Sequence, residues 1–197
     1  MKTSHLILFL KYSVTYFFLV NCIDDDINIY VKYLEGYSCI LTFLNKNYKC
    51  SLGKYGVSYN KIEGDGCTPV GAFPIRQAFY RADKLGIQSN ISDYLSPQIT
   101  KPEYAWCDDP DSEFYNLFVE LPFKASHERL WLNDSSVYDL MAVIGYNDCP
   151  VIPGLGSAIF LHVTETYGPT AGCVAVALED LKFILNNIFP ESMIFIS

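Results

Sequence analysis

Read from its residues, this chain should fold as a mainly β domain with minor α content. Fifteen tyrosines and thirteen phenylalanines suit half-buried pleated surfaces. Short apolar runs alternate with Gly, Pro, Asn and Asp, and a single stretch has the spacing of an amphipathic helix. Strand character begins at Ile27 to Val31 and returns at Tyr37 to Leu44 and Tyr48 to Leu52, with Asn45-Lys46-Asn47 as the turn of a meander. Gly64-Asp65-Gly66 then forms either a tight, backbone-exposing loop with positive φ or an ordinary surface turn. Ala72 to Tyr80 reads as a further strand. From Arg81 to Pro122 the chain is rich in Pro, Asp, Asn and Ser with apolar anchors such as Trp106, Tyr115 and Phe118, and reads as a long, partly ordered, lid-like excursion. Ser126 to Leu130 is expected to open a helical turn. Leu140 to Tyr146 and Ser157 to Val163 are core strands. In Leu178 to Ile188, residues Leu178, Leu181, Ile184, Leu185 and Ile188 share one helical face, with Glu179 and Asp180 near the positive N-terminal end.

With 197 residues, half of them hydrophobic, the chain is long enough for one well-buried domain and too short for two of ordinary size. Fourteen basic against 22 acidic residues give a net charge of −8, so polyanions are repelled and nucleic acid is excluded as a partner. A monomer is expected.

The first 23 residues read as a secretory signal: a basic start, an apolar run from Leu6 to Val20 interrupted by Lys11, then Asp24-Asp25-Asp26. The run is shorter than the roughly 20 residues of a membrane span. Leu19-Val20-Asn21-Cys22 is similar to a lipoprotein processing box, which would attach the protein to a membrane, and a buried first helix or strand is the alternative. Residues 24–197 form the remaining domain. The seven cysteines contain no CxxC pair and no metal-finger spacing, so no metal site and no cofactor are expected. Export permits disulfides, whose pairing the sequence leaves open.

The chemistry concentrates near the C-terminus, where His162 ends an apolar run and Pro169-Thr170-Ala171-Gly172-Cys173 follows ten residues later. Cysteine attacks carbonyls as the thiolate, and its free pKa of about 8.5 calls for help from an imidazole. His162 is the histidine placed to give it, since His5 lies in the N-terminal segment and His127 in a polar stretch. A packed core cysteine beside a hydrogen-bonded histidine is the competing reading of the pair alone. Asn147 and Asp148 either line the cleft or form the turn before Cys149-Pro150. Asp108 and Asp109 either act as an acid-base or calcium pair or form a solvated turn.

The segment from His162 to Val174 resembles the active-site signature of the L,D-transpeptidases of the YkuD type (the ErfK/YbiS/YcfS/YnhG group), cysteine enzymes of the bacterial cell wall. Lys61-Ile-Glu-Gly-Asp65-Gly-Cys-Thr68-Pro-Val-Gly71 resembles that family's TPxG strand and loop. Ala105 to Pro110, Tyr115-Asn116, Leu121-Pro122, Tyr138-Asp139, Gly145 to Asp148 and Pro153 to Ser157 resemble one branch of it. The likeness implies a YkuD-like β-sandwich or mixed sheet with a lid-like insertion and a helix after the catalytic cysteine. Thr170 stands at the family's usual hydroxyl position, Ala171 replaces a second histidine and Ala175 replaces an arginine.

Carried over, the resemblance implies a peptidoglycan L,D-transpeptidase working in the periplasm or cell envelope on stem peptides. Cys173 attacks the carbonyl of the third stem residue, His162 carries the proton to the departing D-alanine, and an amine resolves the thioester. Backbone N–H groups around Gly172 and Cys173 would hold the oxyanion, the Val163 carbonyl would orient the imidazole, and Thr170 would either bond near the thiolate or pack the turn. Lys61, Arg76 and Arg81 are the candidates to replace the absent arginine at a substrate carboxylate, each with plain surface charge as its alternative. An L,D-carboxypeptidase and a non-catalytic cell-wall-binding module remain the alternative functions.

Overall fold

A computed structural model describes residues 27–86 and 91–197; the signal-segment and Cys22 readings fall outside them. The strands are β1 (Ile29–Glu35), β2 (Ser38–Phe43), β3 (Lys46–Ser51), β4 (Val57–Ser58), β5 (Thr68–Pro69), β6 (Gly71–Tyr80), β7 (Gln98–Ile99), β8 (Tyr104–Cys107), β9 (Phe118–Glu120), β10 (His127–Arg129), β11 (Leu140–Ile144), β12 (Phe160–Val163), β13 (Val174–Val176) and β14 (Met193–Ile196). Among the described residues two α-helices accompany them, α1 (Ala82–Leu85) and α2 (Leu178–Asn186), with a 3-10 turn at Asp93–Leu95.

The main sheet runs β11-β12-β13-β3-β2-β1-β14-β6-β7, and β11 also pairs with β6. That last pairing closes eight strands into a barrel, with β7 added outside at β6. The sheet is mixed: β1–β14, β12–β13 and β6–β7 run parallel, the other pairs antiparallel. The expected meander is β1 to β3, its second turn made by Leu44 and Asn45, both with positive φ, the conformation a tight hairpin requires. Cys39 faces Cys50 across β2 and β3, and the two are disulfide-bonded. Cys67, Cys107, Cys149 and Cys173 are free thiols.

Alternation along three neighbouring strands decides where the site lies. Ala78 and Tyr80 of β6, Leu140, Ala142 and Ile144 of β11, and Leu161 and Val163 of β12 join the main core. The intervening Phe79, Met141, Val143 and Phe160 turn to the opposite face and enter a second core with Tyr138 and Cys173. Helix α2 packs on β11 and β12, burying Leu181, Ile184, Leu185 and the following Ile188 in the main core. Burial of each such side chain stabilises the fold by about 1.5–3 kcal/mol.

Two expectations change. The segment after Arg81, expected to be only partly ordered, carries a sheet of its own: β8, with β9 on one side and β10 on the other, packs Tyr104, Trp106 and Phe118 on the second core. Tyr104 and Phe118 stand edge to face, and Phe118 stacks on Phe79 of the barrel wall. His127–Arg129 is a strand and not a helical turn. The pairing of Glu128 with Trp106 across the small sheet overrides local helix preference.

Candidate active site

The second core opens into a cavity of about 400 Å³ whose walls include His162, Cys173, Ala175, Lys61, Glu63 and Glu128. His162 pairs with Ala175 across the parallel β12–β13 ladder. Cys173, two residues before Ala175, therefore faces the same side as the imidazole. Ala175 and Ala171 also line the cavity, so the two departures from the family's wording leave room where longer side chains would project.

The sulfur is held on two sides. Phe160 N–H donates to Cys173 Sγ at 3.3 Å, and the thiol donates to the Ala158 carbonyl at 3.3 Å. His162 donates through Nδ1 to the carbonyl of Val163 at 2.9 Å. A carbonyl only accepts, so this bond places the proton on Nδ1 and leaves the Nε2 lone pair as the basic site. Tyr138 meets the imidazole edge to face at 5.5 Å, and its hydroxyl donates to Glu128.

Burial sets the charge state. It pushes the Cys173 thiol up to about 12, with the Glu128 carboxylate adding to the rise. It pulls His162 down to about 4 against the opposing Val163 bond. The thiolate ready near neutral pH, expected from the sequence, is thus not the resting state. Both groups are neutral because burial, to 5% exposure each, leaves little solvent to stabilise either charge.

Thr170 acts on the backbone rather than on the sulfur. Its hydroxyl donates to the Cys173 carbonyl at 2.8 Å and accepts from Gly172 N–H at 3.1 Å. Thr68 also donates to the Cys173 carbonyl, at 3.4 Å, and accepts from Gly53 N–H. The loop is further tied to the chain after β3 by Lys54 N–H to the Thr170 carbonyl and Thr170 N–H to the Leu52 carbonyl. Gly172 has φ of +151°, and a Cβ there would lie 2.9 Å from the Cys67 carbonyl oxygen. Since Gly172 N–H is engaged by Thr170, it is not a free oxyanion donor here.

The basic candidates separate cleanly. Lys61 lines the cavity, with its side chain 4% exposed and its ammonium 2.7 Å from Asp65. Burial would raise Asp65, but Lys61 and the N–H groups of Cys67 and Ile62 hold that carboxyl below its ordinary value. Arg76 is bound to Asp148 at 2.8 Å on the surface. Arg81 is clamped by Asp83, donates to the Leu132 carbonyl and stacks on Trp131. Neither arginine is among the cavity's lining residues, and each is bound to a carboxylate that is also outside that lining. Asn147 and Asp148 are also outside that lining: Asn147 fastens the Ile152–Gly156 loop through Ile152 N–H and the Ile152 and Gly156 carbonyls.

Sequence reading passed over Glu63, Asn116, Glu128 and Tyr138 as site residues. Asn116 accepts from Trp106 Nε1 and Ala158 N–H and donates to the Tyr146 and Asn147 carbonyls. It thereby holds Ala158, the residue whose carbonyl receives the thiol, in a positive-φ conformation. Glu63 accepts from Tyr115 and Ser157 on one wall. Among the described residues no group of His, Cys, Asp and Glu is arranged to hold a metal ion. No described helix is long and apolar enough to cross a membrane.

The family model for the L,D-transpeptidase catalytic domain, YkuD, matches residues 41–196, a span that includes His162 and Cys173. The chain belongs to the YkuD family. Among solved structures, this YkuD domain is similar to L,D-transpeptidase 1 of Mycobacterium tuberculosis, at 10% identity and a TM-score of 0.35, over 86% of this chain and 61% of that one. It is also similar to the helical cell shape determining protein Pgp2 of Campylobacter jejuni, at 15% identity and a TM-score of 0.40, over 92% of this chain and 54% of that one. The YkuD chain thus spans less than two thirds of either neighbour's length. No curated protein matches it.

Proposed function

We propose that this protein is a cysteine-dependent L,D-transpeptidase that acts on peptidoglycan stem peptides through a Cys173 thioester. The observation that carries the reading is the placement of Cys173 and His162 on one cavity wall with the imidazole Nδ1 engaged by the Val163 carbonyl. Nε2 is left to take the thiol proton as the sulfur attacks the substrate carbonyl. The imidazolium then protonates the departing D-alanine, and an acceptor amine resolves the thioester.

A neutral resting pair fits this sequence of steps, since proton transfer coincides with attack and no standing thiolate is required. The Cys173 N–H is the proposed oxyanion donor, fixed by the two threonine hydroxyls on the Cys173 carbonyl. Lys61 is the proposed grip on a substrate carboxylate, being the basic residue of the three that lines the cavity. The setting is the cell envelope, where such peptides lie, with residues 1–23 as the export signal.

The test is incubation of the protein with purified muropeptides, followed by mass spectrometry of protein and products. A covalent adduct on Cys173 and a cross-linked dimer are expected, both absent from Cys173→Ala and slowed by about 10²–10⁴-fold in His162→Ala. Loss of D-alanine without a dimer would assign the carboxypeptidase reaction instead. An unmodified Cys173 with unchanged muropeptides would overturn the thioester reading.

A further inference from the structure

Glu128 is a carboxylate in an unusual position. Alternation on β10 sends it into the cavity while His127 and Arg129 line a separate surface groove on the other side. One carboxylate oxygen accepts from Tyr138. Among the described residues no cation is paired with it: Lys61 is bound to Asp65, and the remaining ion pairs involve other carboxylates. Glu128 is half-buried, and a carboxylate drawn out of bulk water is ordinarily paired. Asp108 continues the same face of the small sheet, because Trp106 pairs with Glu128 and Asp108 N–H bonds to the Ser126 carbonyl one step along. It lines the same cavity, and its Oδ1 is buried without a hydrogen-bond partner among the described residues. Two carboxylates on one wall, one lacking a cation and the other an N–H donor, match the needs of an ammonium group.

We propose that Glu128, supported by Asp108, is the subsite that receives the acceptor amine as an ammonium ion, with Tyr138 as the positioning residue that joins this subsite to His162. The inference rests on the thioester reading above and names the residue that selects an amine over water. The acceptor R–NH3⁺ gives one proton to the Glu128 carboxylate and attacks the thioester carbon as R–NH2. The C–S bond breaks with its electron pair going to Cys173 sulfur, and the second nitrogen proton passes through His162 to that sulfur. Amide, thiol and protonated Glu128 result, and Glu128 returns its proton to water. Burial raises the carboxyl of Glu128, with Asp108 and Glu63 adding to the rise against the Tyr138 bond, which makes it a better proton acceptor than an exposed glutamate.

The test follows the fate of the thioester formed from a purified disaccharide-tetrapeptide, offered either glycinamide, a cation at neutral pH, or hydroxylamine, uncharged there. In Glu128→Gln the ratio of glycinamide product to hydrolysis product should fall at least about tenfold, the loss of one charge-assisted hydrogen bond. The hydroxylamine ratio should stay unchanged. Equal loss with both acceptors, or no loss with either, overturns the proposal. A measurement on the unaltered protein covers misfolding of the variant: methylammonium chloride should suppress transfer to glycinamide more than potassium chloride of equal ionic strength, without slowing thioester formation. Equal effects of the two salts overturn the proposal. Normal thioester formation with either negative result refutes the amine subsite alone, whereas absence of any thioester refutes the underlying reading and this inference with it.

Discussion

Gly172→Ala tests whether the shape of the nucleophile loop depends on a missing side chain. The added Cβ would lie 2.9 Å from the Cys67 carbonyl oxygen, 3.3 Å from Ile159 Cδ1 and 3.7 Å from Lys61 Cε. The first neighbour is backbone, and Cys67 N–H is fastened to Asp65 at 2.8 Å, so it yields little. A non-glycine residue at φ of +151° adds about 1–3 kcal/mol of conformational strain. The forced contact adds about 1–3 kcal/mol more, and the stiffer unfolded chain returns about 0.4–1 kcal/mol. The net loss is about 1–6 kcal/mol, or about 2–24 °C in unfolding temperature for a domain of this size. Gly36→Ala is the control, because Gly36 has φ of +59° with nothing within 4 Å of its Cβ position and so reports backbone strain alone. Thermal unfolding by circular dichroism, together with thioester formation by intact mass, reads both consequences. A Gly172→Ala protein that melts with Gly36→Ala and acylates at the unaltered rate would refute the steric argument.

Two further outcomes follow from the same site. Iodoacetamide labelling of Cys173 should be slow at neutral pH, about 100-fold below an ordinary thiol, because a pKa near 12 removes several decades of thiolate while greater nucleophilicity restores about half of that loss on a logarithmic scale. The rate should climb through the alkaline range, and a plateau reached below about 8.5, read by intact mass across pH, contradicts the neutral resting pair. Asn116→Ala should destabilise the protein by about 2–4 kcal/mol in urea unfolding, since it strips partners from the buried Ala158 N–H and from Trp106 and places alanine at φ of +58°. It should also slow acylation, because Ala158 carries the carbonyl that receives the thiol; a loss of stability with full acylation would separate Asn116 from the site.

Local pattern in the chain already defined the meander, the strands on either side of the site and helix α2, because period-2 and period-3.6 spacing report which face is buried. It also drew attention to Cys173 and His162, the one by its Gly-Cys context and the other by its place at the end of an apolar run. What no local pattern contained was the second sheet. Strand β10 reads as a helix start until pairing with β8 brings Trp106 beside Glu128, in a small sheet that packs on Phe79 through Phe118 of β9. That packing turns Glu128 into the cavity and sets Tyr138 against His162. Barrel closure between β6 and β11, the disulfide choice among the cysteines and the diversion of Arg76 and Arg81 to local carboxylates likewise depend on residues distant in sequence. The resting charges of Cys173 and His162 depend on tertiary burial as well. A residue type states which proton can move, whereas the surrounding packing decides how much water remains to solvate the charge.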